Sequence, residues 1–257
     1  MGDMNVPIID INAWTGHWST FPVKGSVDEV RSSLKEIGVD RICLAPLNGV
    51  WGHNPHVCNG EVYAAAERYE DVVPVPFLDP TIPTWREELE KGGKLGVRLV
   101  KLVPAYSQYE LGEAGELLTA LTEMEVGVIV QTRIEDPRRQ HPLALVPDFP
   151  ADAVMEMARQ RPELLVILGG AVWRTILDMR EALLELPLFF ADVSQADGID
   201  SLLIMVEAGL GEKLLFGTHA PLFVPQAGLA RVVTELDDES ALAILGGNAQ
   251  KILEEST

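Results

Sequence analysis

Residues 7–16, PIIDINAWTG, form the first apolar run of the chain. The run ends in polar and aromatic residues and then a glycine, which predicts a buried β-strand that stops at Gly16. Because side chains alternate along a strand, Asn12 and Trp14 are expected on one face, near the carboxyl end. Two side chains with this spacing stand where a metal site can form.

The pattern of a strand followed by a helix then repeats along the chain. Residues 26–38 (SVDEVRSSLKEIG) begin with a serine cap, place Val27, Val30 and Leu34 on one face, and end at a glycine, which predicts an amphipathic helix. Further apolar strands are predicted at residues 40–47, 72–78, 97–103, 126–132, 164–168, 188–193 and 213–217. Further helices are predicted at residues 61–69, 85–94, 113–125, 151–161, 173–186, 199–208, 226–235 and 239–253.

Strands that are apolar throughout are typical of a parallel sheet that is buried on both faces. Eight such strands alternating with helices in 257 residues predict an α/β fold, a single (β/α)8 TIM barrel in which residues 1–257 form one domain. An open doubly wound sheet fits less well, because no glycine-rich phosphate loop follows the first strand. Functional residues of such a barrel lie at the carboxyl ends of its strands and in the loops that follow them.

Composition limits the partners. The chain has 20 basic and 39 acidic residues, and a net charge of −19 repels nucleic acid and anionic membrane surfaces. No apolar run approaches the roughly 18 residues that a membrane span needs. Residues 1–5 do not resemble the start of a secretion signal. We therefore expect a soluble, cytoplasmic protein whose partner is a small molecule, with neither nucleic acid nor membrane as a partner.

Five segments of the chain resemble the amidohydrolase superfamily, in its amidohydrolase-related branch of decarboxylases and lactonases. The first strand resembles I-I-D-x-H-x-H-x-G, and residues 97–104 (VRLVKLVP) resemble V-K-L-H-P. Residues 166–171 (VILGGA) resemble I-L-G-H-A, residues 214–223 (LLFGTHAPLF) resemble I-L-F-G-S-D-x-P, and residues 244–253 (ILGGNAQKIL) resemble I-L-G-G-N-A-x-R-L-L. The resemblance implies a TIM barrel, a hydrolase or decarboxylase-like activity on a small cyclic or carboxylated molecule, and self-association into a homo-oligomer.

The family's metal ligands are replaced in this sequence. In the family, two histidines of the first strand, a histidine ending strand five, a histidine ending strand six and an aspartate ending strand eight build a site for zinc or manganese. The matching positions here hold Asn12, Trp14, Gln131, Gly170 and His219. Amide and indole groups bind a divalent transition metal poorly, and glycine has no side chain. We therefore expect no catalytic metal and no other cofactor.

A polar pocket remains at the predicted mouth of the barrel. His219 can act as a general acid or base near neutral pH, and Gln131 and Asp192 are its candidate catalytic partners. Asn12 can donate and accept hydrogen bonds to a substrate, and Trp14 supplies a flat apolar wall. The alternative is that Gln131, Asn12 and His219 only hydrogen-bond to one another and fill the cavity that holds the metal in the family.

Lys101 lies within the fourth predicted strand. A lysine that points into a barrel can form a Schiff base or be carboxylated to bridge two metals, and it can also bind substrate. Alternation places Lys101 on the same face as Leu99 and Val103, and the sequence leaves open whether that face is the interior.

Residues 133–149 form a long loop that is rich in basic side chains. Four basic residues lie in it: Arg133, Arg138, Arg139 and His141. A basic lid would attract an anionic ligand such as a carboxylate, and Arg133 is the candidate closest to the strand end. The alternative is that Glu135 and Asp136 neutralise the loop. Trp51 and Tyr106 fall on the same side and favour a ligand with a planar part, unless they pack only onto the barrel.

Two functions from different classes stay open. One is a metal-independent enzyme of hydrolase or lyase type that uses His219 with Gln131, Asn12 and Asp192. The other is a non-catalytic protein that binds a small molecule on the same scaffold. A third alternative is a displaced metal site, which would draw on His17, His53, His56, Cys58 and His219.

Overall fold

Eight parallel β-strands form the wall of a barrel in this computed structural model, which describes residues 6–254. The strands are β1 (Ile9–Thr15), β2 (Arg41–Pro46), β3 (Val72–Pro74), β4 (Leu99–Leu102), β5 (Gly127–Gln131), β6 (Val166–Gly169), β7 (Phe189–Asp192) and β8 (Leu214–Leu215). They pair in parallel and in chain order within two runs, β1 to β3 and β4 to β8. Residues 1–5, on which the expectation about a secretion signal rests, lie outside the described residues.

Backbone hydrogen bonds join the two runs into a ring. Between β3 and β4, the Lys101 amide donates to the carbonyl of Pro76 at 2.8 Å. Between β8 and β1, the Ile11 amide donates to the carbonyl of Phe216 at 2.9 Å. The predicted (β/α)8 fold is confirmed, since each strand is bonded to its neighbours around the barrel.

Helices follow the strands around the outside. They are α1 (Val27–Glu36), α2 (Asn59–Arg68), α3 (Trp85–Lys94), α4 (Pro104–Ser107), α5 (Gly115–Glu123), α6 (Ala151–Gln160), α7 (Trp173–Asp178), α8 (Arg180–Glu185), α9 (Ser201–Glu207), α10 (Pro225–Glu235), α11 (Asp238–Leu242) and α12 (Asn248–Glu254). None of the helices in this part of the chain is both long enough and apolar enough to cross a membrane. The predicted helix over residues 173–186 is divided at Met179, and the one over residues 239–253 is interrupted by a π-helical turn, Ala243–Gly247.

Alternation along the strands divides the apolar core into an inner and an outer layer. The inner layer includes Ile9, Leu99, Ile129, Ile167 and Leu215. The outer layer, against the helices, includes Leu44, Val100, Val128, Val166 and Leu214. Because Leu99 and Val103 both belong to the inner layer, Lys101 between them faces the interior of the barrel. This orientation settles the question that the sequence left open.

The segment ILGGNAQKIL closes the amino-terminal end of the barrel. A Cβ atom on Gly246 would lie 1.7 Å from the carbonyl oxygen of Pro7, so only glycine lets the lead-in to β1 pass this closely. Asn248 Nδ2 donates to the carbonyl oxygens of Gly211 and Leu214, at 2.8 and 2.9 Å, and holds the start of β8. This motif therefore joins the first and last strands through the backbone.

Replacing Gly246 with alanine is expected to lower the free energy of unfolding by about 2–3 kcal/mol, because the new methyl group overlaps the Pro7 carbonyl. The control is Gly60→Ala in α2, where an added Cβ meets no atom within 4 Å and should stabilise by about 0.5 kcal/mol. Urea unfolding followed by circular dichroism measures both. Equal effects of the two substitutions would contradict the packing argument.

Candidate active site

Six polar or aromatic side chains meet inside the barrel, near the carboxyl ends of the strands. They are Asn12, Trp14, Lys101, Gln131, Asp192 and His219, and none is more than 1% exposed. We call these six side chains the interior network. The sequence analysis named every one of them as a candidate site residue, and the structure brings them together.

Asn12 is at the centre of the network. Its Oδ1 atom accepts a hydrogen bond from Lys101 Nζ at 2.6 Å. Its Nδ2 group donates to Gln131 Oε1 at 3.1 Å and to Asp192 Oδ2 at 2.9 Å. The pairing of β1 with β2 shifts register between Asp10 and Ala13, on either side of Asn12, as a β-bulge does. The amide of Asn12 thus has a partner at each end.

Lys101 is a buried cation. Its Nζ atom lies 3.9 Å from the centroid of the Trp14 ring, within the range of a cation–π contact. Burial lowers the pKa of Lys101 to about 7, and the negative charges of Asp192 and Asp10 oppose that shift. The amine therefore carries its proton in only part of the molecules at neutral pH.

Asp192 is fully satisfied by N–H donors. Besides Asn12, the backbone amide of Gly170 donates to Oδ2 at 2.7 Å, and that of Ser194 donates to Oδ1 at 2.7 Å. Gly170 has a φ of +69°, a backbone conformation that favours glycine. A Cβ atom at position 170 would lie 2.3 Å from Gln131 Nε2, so Gln131 occupies the space that a side chain there would need.

His219 has both ring nitrogens engaged. Nε2 donates to the carbonyl of Ile134 at 2.7 Å, and Nδ1 accepts from Trp14 Nε1 at 3.3 Å. Burial lowers the pKa of His219 to about 3, so the ring is neutral at pH 7. His219 also has a φ of +56°, which is uncommon for a residue with a side chain. The imidazole is held as a neutral structural ring in this arrangement.

Asp10 ties β1 to the segment after β8, and sequence reasoning did not select it. Its carboxylate accepts from the backbone amides of Asn12 and Thr218, at 3.0 and 3.1 Å, and from the Thr218 hydroxyl. Burial raises the pKa of Asp10 to about 6. Both residues fall inside segments that resemble the family, and this was the available signal.

Three aromatic rings lie at the mouth of the barrel and form the mouth triad: Trp18, Trp51 and Tyr106. The ring centroids are 5.7 Å apart for Trp18 and Trp51, 6.1 Å for Trp18 and Tyr106, and 5.1 Å for Trp51 and Tyr106. Trp18 is buried and donates to Glu135 Oε2 at 3.1 Å, whereas Trp51 is 44% exposed. Sequence reasoning missed Trp18, and it expected Glu135 to neutralise the basic side chains of its loop, whereas Glu135 accepts from Trp18 and Thr20.

The long loop after β5 is largely neutralised. Arg133 pairs with Asp136 at 3.3 Å and with Asp148 at 3.6 Å, and Arg138 also pairs with Asp136, whose pKa the Arg138 hydrogen bonds hold well below its usual range. Arg133 and Arg138 therefore follow the neutralised alternative. Arg139 differs, because its guanidinium lies 4.8 Å over the Phe21 ring and has no carboxylate partner within residues 6–254.

The side chains in place do not fit the family's metal. Within residues 6–254, no group of three or more histidine, cysteine, aspartate or glutamate side chains could hold a metal ion. His56 of the alternative displaced site accepts from the Asp79 amide at Nε2 and contacts Thr84 Oγ1 through Nδ1. His219 is engaged at both nitrogens, as described above.

No family model matches the sequence, and no curated protein matches it. Solved structures do match. An uncharacterised TIM-barrel protein from Bordetella bronchiseptica is 16% identical with a TM-score of 0.73, covering 96% of this chain and 98% of that chain. A 5-carboxyvanillate decarboxylase from Novosphingobium aromaticivorans, solved with bound manganese, is 13% identical with a TM-score of 0.72, covering 99% of each chain.

A 2,6-dihydroxybenzoate decarboxylase from Rhizobium is 16% identical with a TM-score of 0.64, covering 88% of each chain. The chain has the fold of these decarboxylases. The resemblance that the five sequence segments suggested is thus confirmed for the fold. At this level of identity, the function of this barrel has to be argued from its own side chains.

His219→Gln is expected to make the protein less sensitive to acid. A neutral buried histidine with a pKa near 3 contributes its full stability above pH 6.5, and that stability is lost progressively as the pH falls from about 6.5 to about 3, because the unfolded chain takes up the proton first. The difference in unfolding free energy between wild type and variant should therefore shrink toward acid pH, by about 1.4 kcal/mol per unit at most. The raised pKa of Asp10 changes stability with pH in the opposite direction. Its effect is the same in wild type and variant and therefore cancels in the difference between them.

Urea unfolding at pH 7, 5.5 and 4 measures this difference. His141→Gln, at an exposed loop position, is the matched control for the same replacement. A difference that stayed constant over this range would show that His219 keeps an ordinary titration in the fold.

Proposed function

We propose that this protein binds a planar, carboxylated small molecule at the mouth of the barrel and does not turn it over. The observation that carries the proposal is the saturation of the interior network. Asp192 accepts three N–H groups, Asn12 is bonded at both ends, and both nitrogens of His219 are engaged. General acid–base catalysis needs a group within reach of the substrate that can gain or lose a proton.

The mouth triad supports binding there. Aromatic faces with one exposed member offer a surface on which a planar ring can stack. Trp18 and Thr20 both donate to Glu135, which connects the loop after β1, where Phe21 also lies, to the loop after β5 that carries Arg139. Arg139 keeps an unpaired guanidinium in a chain with a net charge of −19, so it can pair with a carboxylate.

The structural neighbours support the ligand class. Two of them are decarboxylases of carboxylated aromatic compounds, 5-carboxyvanillate and 2,6-dihydroxybenzoate. A barrel with this ancestry and a substituted centre can retain the ability to bind an aromatic carboxylate after losing the metal-dependent reaction. From these neighbours the proposal takes only the class of ligand, an aromatic carboxylate, and it does not take the decarboxylation reaction.

A metal-independent lyase or hydrolase is the second candidate, and Lys101 favours it. An amine with a pKa of about 7 is partly deprotonated at neutral pH and is a nucleophile for carbonyl carbon. Lys101 and Trp14 are fully buried, so a substrate would reach this amine only after the side chains that cover it move. In this candidate, His219, Gln131 and Asp192 position the reacting group.

Arg139→Ala is expected to weaken the binding of 2,6-dihydroxybenzoate about tenfold, because the charge-assisted hydrogen bond to the carboxylate is lost. Quenching of tryptophan fluorescence measures the affinity. Arg138→Ala removes a guanidinium that is already paired with Asp136 and should leave the affinity within about twofold of wild type. Equal losses in the two variants would indicate a general charge effect and would argue against a specific subsite.

Turnover distinguishes the two candidates. Wild type incubated with 2,6-dihydroxybenzoate or 5-carboxyvanillate, with and without manganese, should release no decarboxylated product by liquid chromatography. His219→Ala should lower only the affinity, through loosened packing under Trp14. Product formation by wild type that His219→Ala abolishes would favour the enzyme and overturn the proposal of binding without turnover.

A further inference from the structure

The interior of the barrel has an unusual distribution of charge. Asp10 and Asp192 are two carboxyl groups with no solvent exposure. Lys101 is also fully buried, and no other lysine or arginine among residues 6–254 is buried to this extent. A buried charge is tolerated only when an opposite charge or hydrogen bonds compensate it. Lys101 is therefore the cation that faces both carboxyl groups.

The contact between Lys101 and Asp192 runs through Asn12. The carbonyl oxygen of the Asn12 amide accepts from the ammonium at 2.6 Å, and the amide nitrogen donates to the carboxylate at 2.9 Å. The negative end of the amide dipole thus faces the cation and the positive end faces the anion. We call this arrangement the Lys101–Asn12–Asp192 relay.

We infer that the ammonium of Lys101 takes the place of a divalent metal in this barrel, supplying the interior positive charge and holding β1, β4 and β7 together through the relay. The donors around it support this assignment. Amide oxygen and an aromatic face are good partners for an ammonium ion, and the same groups are poor ligands for a transition metal. The inference does not depend on ligand binding at the mouth.

Gln131 and Trp14 fill the space around Asn12 and Lys101 inside the barrel. Gln131 Oε1 accepts from Asn12 while its Nε2 group donates to the carbonyl of Arg133 at 2.6 Å. The Gln131 amide occupies the space above Gly170, and the Trp14 ring covers the ammonium. Burial away from water lowers the pKa of Lys101 to about 7, and the negative charges of Asp192 and Asp10 oppose this shift and favour the ammonium form.

A double-mutant cycle tests the relay. Lys101→Met and Asp192→Asn should each destabilise the fold, because each leaves a buried charge without its counterpart. The loss of stability in the double variant should be smaller than the sum of the two single losses. The difference should correspond to about a tenfold change in the unfolding equilibrium constant. Lys101→Gln keeps a donor for Asn12 and removes the charge, and its cycle with Asp192→Asn should show coupling of the same sign.

The control cycle pairs Lys101→Met with Asp79→Asn, because Asp79 is buried and takes no part in the relay; its Oδ1 accepts from Thr81. These two substitutions should add. Additive losses in the Asp192 cycles would overturn the inference. Failure of the single variants to fold, with recovery in the double variant, would support it.

Metal analysis gives a second test that needs no substitution. Wild-type protein, purified without chelator, should contain substoichiometric zinc, manganese, iron and nickel, and excess manganese chloride should not shift its thermal midpoint. A stoichiometric metal, or a rise in the midpoint with manganese, would overturn the inference. The midpoint should also stay unchanged after treatment with a chelator.

Discussion

One amide group stands between a buried ammonium and a buried carboxylate. Asn12 Oδ1 accepts from Lys101 and Asn12 Nδ2 donates to Asp192, and the rest of the interior is arranged around these two hydrogen bonds. Because Asn12 has neutral donor and acceptor ends, it can connect two opposite charges without adding a third. Neither a hydrophobic residue nor a charged one at position 12 could connect both partners in this way.

The hydrogen bonds within the interior network are the reason for proposing a ligand site at the mouth of the barrel and not in its interior. Each polar side chain of the network has at least one partner inside the protein, and Asn12, Asp192 and His219 are engaged at both of their polar ends. In the mouth triad Trp18 is buried and Trp51 is 44% exposed, and Arg139, over the Phe21 ring, has no carboxylate partner within the described residues. The candidate site is therefore better understood as a sealed centre beneath an accessible mouth than as an open pocket.

The fold was predictable because the relevant information is local. Apolar runs and caps predicted α3 at the residues where it lies and located all eight strands, with differences of a few residues at their ends. The orientation of Lys101 was not predictable, since it depends on which face of β4 becomes the interior. The contact between Trp18 and Glu135 was missed for a related reason: it joins two loops through residues that are 117 positions apart. Sequence spacing carries no signal for such a contact.

The backbone conformation and the neighbours of Gly170 restrict which residue position 170 can hold. With Gln131 in its observed position, any side chain at position 170 would overlap its amide nitrogen. A Cβ atom there would also lie 2.4 Å from the backbone carbonyl oxygen of Arg133, so a histidine at position 170 would require both the side chain at position 131 and the backbone at Arg133 to move. Gly170→His as a single substitution would therefore destabilise the fold. Position 170 is held to glycine by its φ and by two neighbours at once, so a side chain can enter there only through coordinated changes at several positions.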